Sequence, residues 1–294
     1  MVNYNPKEWF RFVFRFYKAE NFRKLLPLIV GLFIYTWLVV FIETRFFKLS
    51  DNGFIKNIPL MHSLLGFAIS LLLVFRTNTA YDRWWEGRKL WGALVNNSRN
   101  LAIKLSSILP AEDKQQRAFF RKIIPAYAYA LCNHLKAEKT RIELFEADAQ
   151  HPVFKNIDTE KHIPNQVALL MLRHVNQLYK EQKIDGYQLL TLNEELKAFT
   201  DICGACERIK NTPIPFSYNV FIKKIIFIYV ASLPLGYVFS LEYYTIPVVL
   251  FIFYVLASLE LIAEEIEDPF GNDDNDIPTQ KIATNIHLHI HELI

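Results

Sequence analysis

FAISLLLVFRTNTAYDRWWEGRKLW, Phe67 to Trp91, is the stretch that decides the fold. Its first nine residues carry no charge and are almost wholly apolar. Arg76 then opens a polar segment, and two adjacent tryptophans lead into a mixed-charge amphipathic run. A helix confined to a soluble core seldom ends by continuing into a long charged helix, whereas one that leaves a bilayer for water does so naturally. The stretch therefore predicts a single helix that begins inside a membrane and continues outside it.

Three other apolar runs complete the set. Leu25–Ile42 has no charge and approaches the roughly 20 residues that cross a hydrocarbon core; Pro27 is expected in its first turn, where a missing N–H costs little. Ile58–Phe75 is the run that feeds the opening stretch. Ile225–Leu241 contains Pro234 and Gly236, breakers that membrane helices tolerate, and Ile246–Leu259 follows after a tight aromatic turn at Glu242–Thr245. Between Arg76 and Lys224 no run is long and apolar enough to span, and helical periodicity dominates instead.

Composition agrees with this division. Hydrophobic residues make up 52% of the 294 and charged residues 21%, too much charge for a chain wholly in lipid and too much apolar mass for one wholly in water. The net charge of +3 is too small and dispersed to point to nucleic acid. The three cysteines, Cys132, Cys203 and Cys206, have no disulfide-framework spacing and suit a reducing compartment. Six basic residues precede the first apolar run, which is too long for a signal-peptide core. Basic residues also follow the second run and precede the third, so both termini and the 76–224 region are expected on the cytoplasmic side.

The expected organisation is a cytoplasmic interfacial helix over 1–24, transmembrane helices 1 and 2 within 25–75, a helical cytosolic region over 76–224, transmembrane helices 3 and 4 within 225–262, and an acidic cytosolic tail over 263–294. The fold class is an all-α membrane protein with four spans per protomer. Multi-pass insertion in the cytoplasmic membrane makes lipid a partner.

RTNTAYDRWWEGRKLWGALVNNSRN (76–100), CGACERIKNTPIPFSY (203–218) and EEIEDPFGNDDNDIP (264–278) resemble the bestrophin family, and most closely its bacterial branch. The resemblance covers essentially the whole chain and is weakest from about residue 110 to 185. It implies a homopentameric channel that passes small ions without a chemical step, its second span lining an axial pore that continues through the cytosolic region. No residue set here supports catalysis. The rival class is a non-conducting membrane scaffold or receptor whose cytosolic body binds a partner. A secondary transporter would need internal repeats, which the sequence lacks.

Several constellations bear on that function. Phe67, Leu71 and Phe75 fall at i, i+4 and i+8 on one helical stripe. Periodicity alone leaves two placements open, lining a pore or facing lipid and a neighbouring helix; the resemblance implies the first, a hydrophobic neck that can gate by dewetting. Arg76 marks the cytosolic end of that neck, either biasing the ions that queue there or pairing with an acidic neighbour. His62 lies within an apolar run, and an ionisable group at membrane depth is a functional candidate; solvation at the outer pore mouth is the other expectation. The resemblance places a cytosolic aperture near Ile184–Leu190, with Tyr187 preferred.

Asp268, Asp273 and Asp276 surround Gly271 with the oxygen donors that calcium uses, and they match the calcium-clasp positions of animal bestrophins. The expectation here is a solvated acidic turn with no required cofactor. Cys203-Gly-Ala-Cys206 reads as helix packing, since one CxxC without a second pair makes a weak metal site. His287, His289 and His291 are expected on different faces of a terminal helix, and Trp84, Trp85 and Trp91 as interfacial anchors packed against neighbouring protomers.

Overall fold

The computed structural model describes residues 20–47, 57–136 and 157–294. Among these residues the chain is helical throughout and forms no strand. The interfacial helix expected over 1–24 lies outside the described residues except for its last few, which open the first helix.

The chain divides into two compact units. One takes the described residues up to Asp82 together with Pro213–Glu267, and the other takes Arg83–Thr212 with Asp268–Ile294. The first unit begins with α1, Glu20–Ile42, and a π turn at Glu43–Phe47. It continues with the opening part of α2, which runs unbroken from Ile58 to Ile108. Helices α6, Phe216–Leu241, and α7, Thr245–Glu267, are joined by a three-residue 3-10 turn at Glu242–Tyr244 to form a helical hairpin.

These helices are apolar around most of their circumference, the pattern of a membrane span rather than of an amphipathic surface helix. By length and composition α1, α2 and the α6–α7 segment can each cross a bilayer. Helix α1 begins at Glu20, so Pro27 sits inside it and not in its first turn as expected. Helix α6 begins nine residues ahead of the apolar run, directly after Pro215, because proline supplies a preset φ and lacks the N–H that a first turn leaves unpaired.

Two glycines set how closely α2 approaches α6. A Cβ on Gly66 would stand 2.6 Å from the Tyr229 hydroxyl, and one on Gly236 2.5 Å from Ile58 and 2.9 Å from the His62 ring. Ile69 and Leu73 of α2 pack into an apolar cluster with Ile222, Ile226, Val230 and Leu233 of α6 and Val249 and Phe253 of α7.

In the second unit the rest of α2 packs with α3, Lys114–Leu135, α4, Ile163–Lys180, α5, Gly186–Asn211, and α8, Thr279–Leu293. Asp185 and Gln188 close a reciprocal capping box at the start of α5. The tail does not stand apart as an acidic extension. Phe270, Ile277, Ala283, Ile286 and Ile290 are buried in the core of this unit, with α8 packed on α3. Trp91, expected as an anchor against neighbouring protomers, is fully buried in the same core.

Candidate functional site

The first unit fixes α2 by one face only. His62, Ile69, Leu73, Arg76 and Ala80 are buried and fall together at 3.6 residues per turn. The stripe of Phe67, Leu71 and Phe75 lies about 180° around the helix from them. Its side chains remain 72%, 46% and 57% exposed in the single chain. The structure therefore brings the three neck candidates together as one apolar ridge that no other described element covers.

Arg76 does not join that ridge. It is fully buried, its Nη2 donating to Glu267 Oε2 at 2.7 Å and its Nε lying 3.6 Å from Glu260 Oε2. Glu267 Oε1 in turn accepts the Ile214 backbone N–H at 2.6 Å. Of the two expectations for Arg76, pairing is the one the structure shows. Burying a guanidinium is costly unless partners such as these offset its lost hydration. They tie α2, the end of α7 and the entry to α6 at one point.

His62 is likewise turned away from the stripe. Its Nε2 lies 3.0 Å from Ser232 Oγ, and its ring stacks on Tyr237 and meets Tyr229 edge-on. In the single chain the ring is buried against α6, close to Gly236. Sequence reasoning missed Asp82. It is exposed and lies seven residues beyond Phe75, so it continues the stripe as its first charged side chain. The helical period that puts Phe67, Leu71 and Phe75 on one stripe also reaches Asp82.

The second unit holds the other candidates. Tyr187, in the first turn of α5, is 84% exposed, and Leu190 one turn on is also exposed, whereas Ile184 is in the core. Within the expected aperture window, Tyr187 and Leu190 are thus the side chains free to line a passage. Arg83 and Trp84 have internal duties. Arg83 donates to the carbonyls of Ile209 and Thr212 at the end of α5, and Trp84 Nε1 donates to the Asn275 carbonyl at 3.0 Å.

The acidic loop is closed on itself. Asp276 is buried, its Oδ2 accepts the Asp273 N–H at 2.6 Å, and Asp268 Oδ1 accepts the Phe270 N–H. A Cβ on Gly271 would stand 2.8 Å from Asp276 Oδ2, so glycine is required there for the turn to close. Burial, reinforced by the charges of Asp273 and Asp268, pushes the Asp276 carboxyl up to about 6. A bound calcium ion would need the three carboxylates turned toward one point. Among the described residues the side chains of Asp268, Asp273 and Asp276 do not gather as such a group.

Cys203 and Cys206 are buried thiols, each pushed up to about 12, chiefly by burial, and they behave as core residues. The three terminal histidines do not all share one face. His287 and His291 share a face, with ring centroids 4.7 Å apart, while His289 meets Arg99.

The model of the family described as Bacterial/Fungal Bestrophin protein matches residues 1–292. The chain belongs to the bestrophin family. A voltage-dependent anion channel-forming protein of Nostoc sp. is 36% identical over 245 residues, covering 81% of this chain and 80% of that protein. A like-named protein of Ralstonia nicotianae is 30% identical over 290 residues, covering 97% and 92%. Among solved structures, a mutant of a bacterial bestrophin homologue from Klebsiella pneumoniae superposes with a TM-score of 0.82 at 27% identity, covering 92% of this bestrophin and 99% of that chain. The all-helical fold and the membrane location follow from these likenesses together with the apolar helices.

Proposed function

We propose that this bestrophin is the protomer of a homopentameric channel that conducts small monovalent ions passively across the cytoplasmic membrane. The observation that carries the reading is the ridge of Phe67, Leu71 and Phe75, large apolar side chains left uncovered on a helix whose opposite face is tightly packed. Five copies around an axis would stack these residues as three apolar rings. A narrow apolar ring strips water contacts from an ion and can close by dewetting without any moving plug. In this reading α1, α2, α6 and α7 supply four spans, their outer apolar faces meet lipid, both termini and the 76–224 region are cytoplasmic, and Tyr187 contributes to a second constriction. The names of the relatives support an ion pathway over a non-conducting scaffold.

Selectivity is set by groups outside the neck, whose rings carry no charge. The relatives are named for anions, whereas Asp82 would put a ring of carboxylates just beyond Phe75. Calcium is not required, because the acidic loop is already closed by its own hydrogen bonds.

Purified protein in planar bilayers under asymmetric sodium chloride tests the reading. Expected are currents that persist in the presence of a calcium chelator and that gain conductance or lose gating when Phe67, Leu71 and Phe75 are all replaced by alanine. The reversal potential assigns the sign of the permeant ion. Absence of current above that of protein-free membranes, or currents unchanged by the triple replacement, would remove the neck assignment.

A further inference from the structure

Within the second unit three donors that are far apart in sequence meet at one point. His134 lies in the last turn of α3, His162 immediately precedes α4, and Glu207 lies near the end of α5. Both imidazole Nε2 atoms stand 2.6 Å from the same carboxylate oxygen, Glu207 Oε1. The two rings are 4.4 Å apart between centroids, and the three donor atoms all lie within 4.8 Å of one another. Each side chain is about one-third exposed, at 33%, 31% and 28%, so the point is open to solvent on one side. The two histidines hold Glu207 below the ordinary carboxylate range despite its burial.

We propose that His134, His162 and Glu207 bind one divalent transition-metal ion of the zinc type in each protomer. Two imidazoles and one carboxylate are a recurrent three-ligand set for zinc, with water completing the tetrahedron. The nitrogen donors disfavour calcium and magnesium, which prefer all-oxygen shells, so this point differs in chemistry from the acidic loop. With metal–ligand bonds of about 2.0–2.1 Å, donors in a tetrahedron stand further apart than the present hydrogen bonds, and each ring withdraws by a few tenths of an ångström to admit the ion.

Binding also re-assigns protons. In the metal-free protein His162 Nδ1 accepts the Asn165 N–H at 3.1 Å, which puts the neutral ring's proton on Nε2, facing Glu207. An ion on Nε2 moves that proton to Nδ1, and Asn165 gives up its cap. Loss of one helix cap is a small cost beside metal–imidazole bonds. The ion joins the end of α3, the start of α4 and the end of α5, a link that no part of the channel reading requires.

Zinc chloride titrated into the dialysed full-length protein in detergent is the test, with cobalt(II) as a spectroscopic stand-in. One equivalent per chain is expected. His134→Ala, His162→Ala and Glu207→Gln each weaken binding by more than about tenfold, whereas His287→Ala with His291→Ala, and Cys203→Ser with Cys206→Ser, leave it unchanged. The cobalt form shows tetrahedral d–d absorption without a thiolate charge-transfer band, a readout that holds even where a variant folds poorly. Wild-type protein that takes up no zinc, unchanged affinity in the three ligand variants, or a thiolate band in the cobalt spectrum overturns the proposal.

Discussion

Asp276 is a carboxyl whose chemistry its surroundings alter. It is 3% exposed, and its raised carboxyl, at about 6 against an ordinary 3.8, favours the protonated form in the folded loop. A group raised by folding contributes stability that is complete below its unfolded value and is lost as pH rises through the folded one. For Asp276 the loss therefore runs from about pH 4 to about pH 6. At 1.36 kcal/mol per pKa unit the shift corresponds to about 2–3 kcal/mol. The stability difference between wild type and Asp276→Asn should accordingly move in favour of wild type by up to that amount as pH falls from 7 to 4. Chemical denaturation of the two proteins across that range measures it, and a pH-independent difference would show that the carboxyl titrates normally.

At the scale of the helix, the buried face of α2 explains why the sequence reveals one half of the site and conceals the other. Phe67, Leu71 and Phe75 were legible because a stripe is a local property, written at intervals of four residues along one element. The partners of Arg76 and His62 were not, since Glu260, Glu267, Ser232 and Tyr237 reach them only after α6 and α7 have packed against α2. The same reasoning covers His134, His162 and Glu207, which no local motif relates. The helical class and the apolar runs were read correctly from composition and period. The helix α6 starts ahead of the apolar run because hydropathy rises only well after the proline that precedes it.

Glu267 tests the packing reading of α2. It bonds both the Arg76 guanidinium and the Ile214 N–H, so Glu267→Ala leaves the buried cation with the longer Glu260 contact and the amide without this acceptor. Removing one partner of such a pair typically costs about 3–5 kcal/mol. Thermal unfolding in detergent should show a marked loss for Glu267→Ala. Stability equal to wild type would mean that the junction is hydrated rather than closed.

For the whole molecule, the question is what covers the ridge that α2 leaves open. Beyond Phe75 the same face carries exposed Asn78 and Asp82, groups that need water. A face that is apolar for three turns and polar directly afterwards suits a wet axis narrowed by a hydrophobic collar. Closed rotational symmetry produces such an axis from identical chains, because every copy presents the same face inward. The bestrophin assembled in mild detergent should therefore have a protein mass of about five times the 34.5 kDa of one chain, as light scattering corrected for bound detergent would record. Phe67→Ala should leave that mass unchanged, since a residue lining the axis points into the pore and not into the contact between neighbours. A monomer or dimer in the wild type would remove the axis. Loss of assembly on Phe67→Ala would instead place the ridge in the subunit interface.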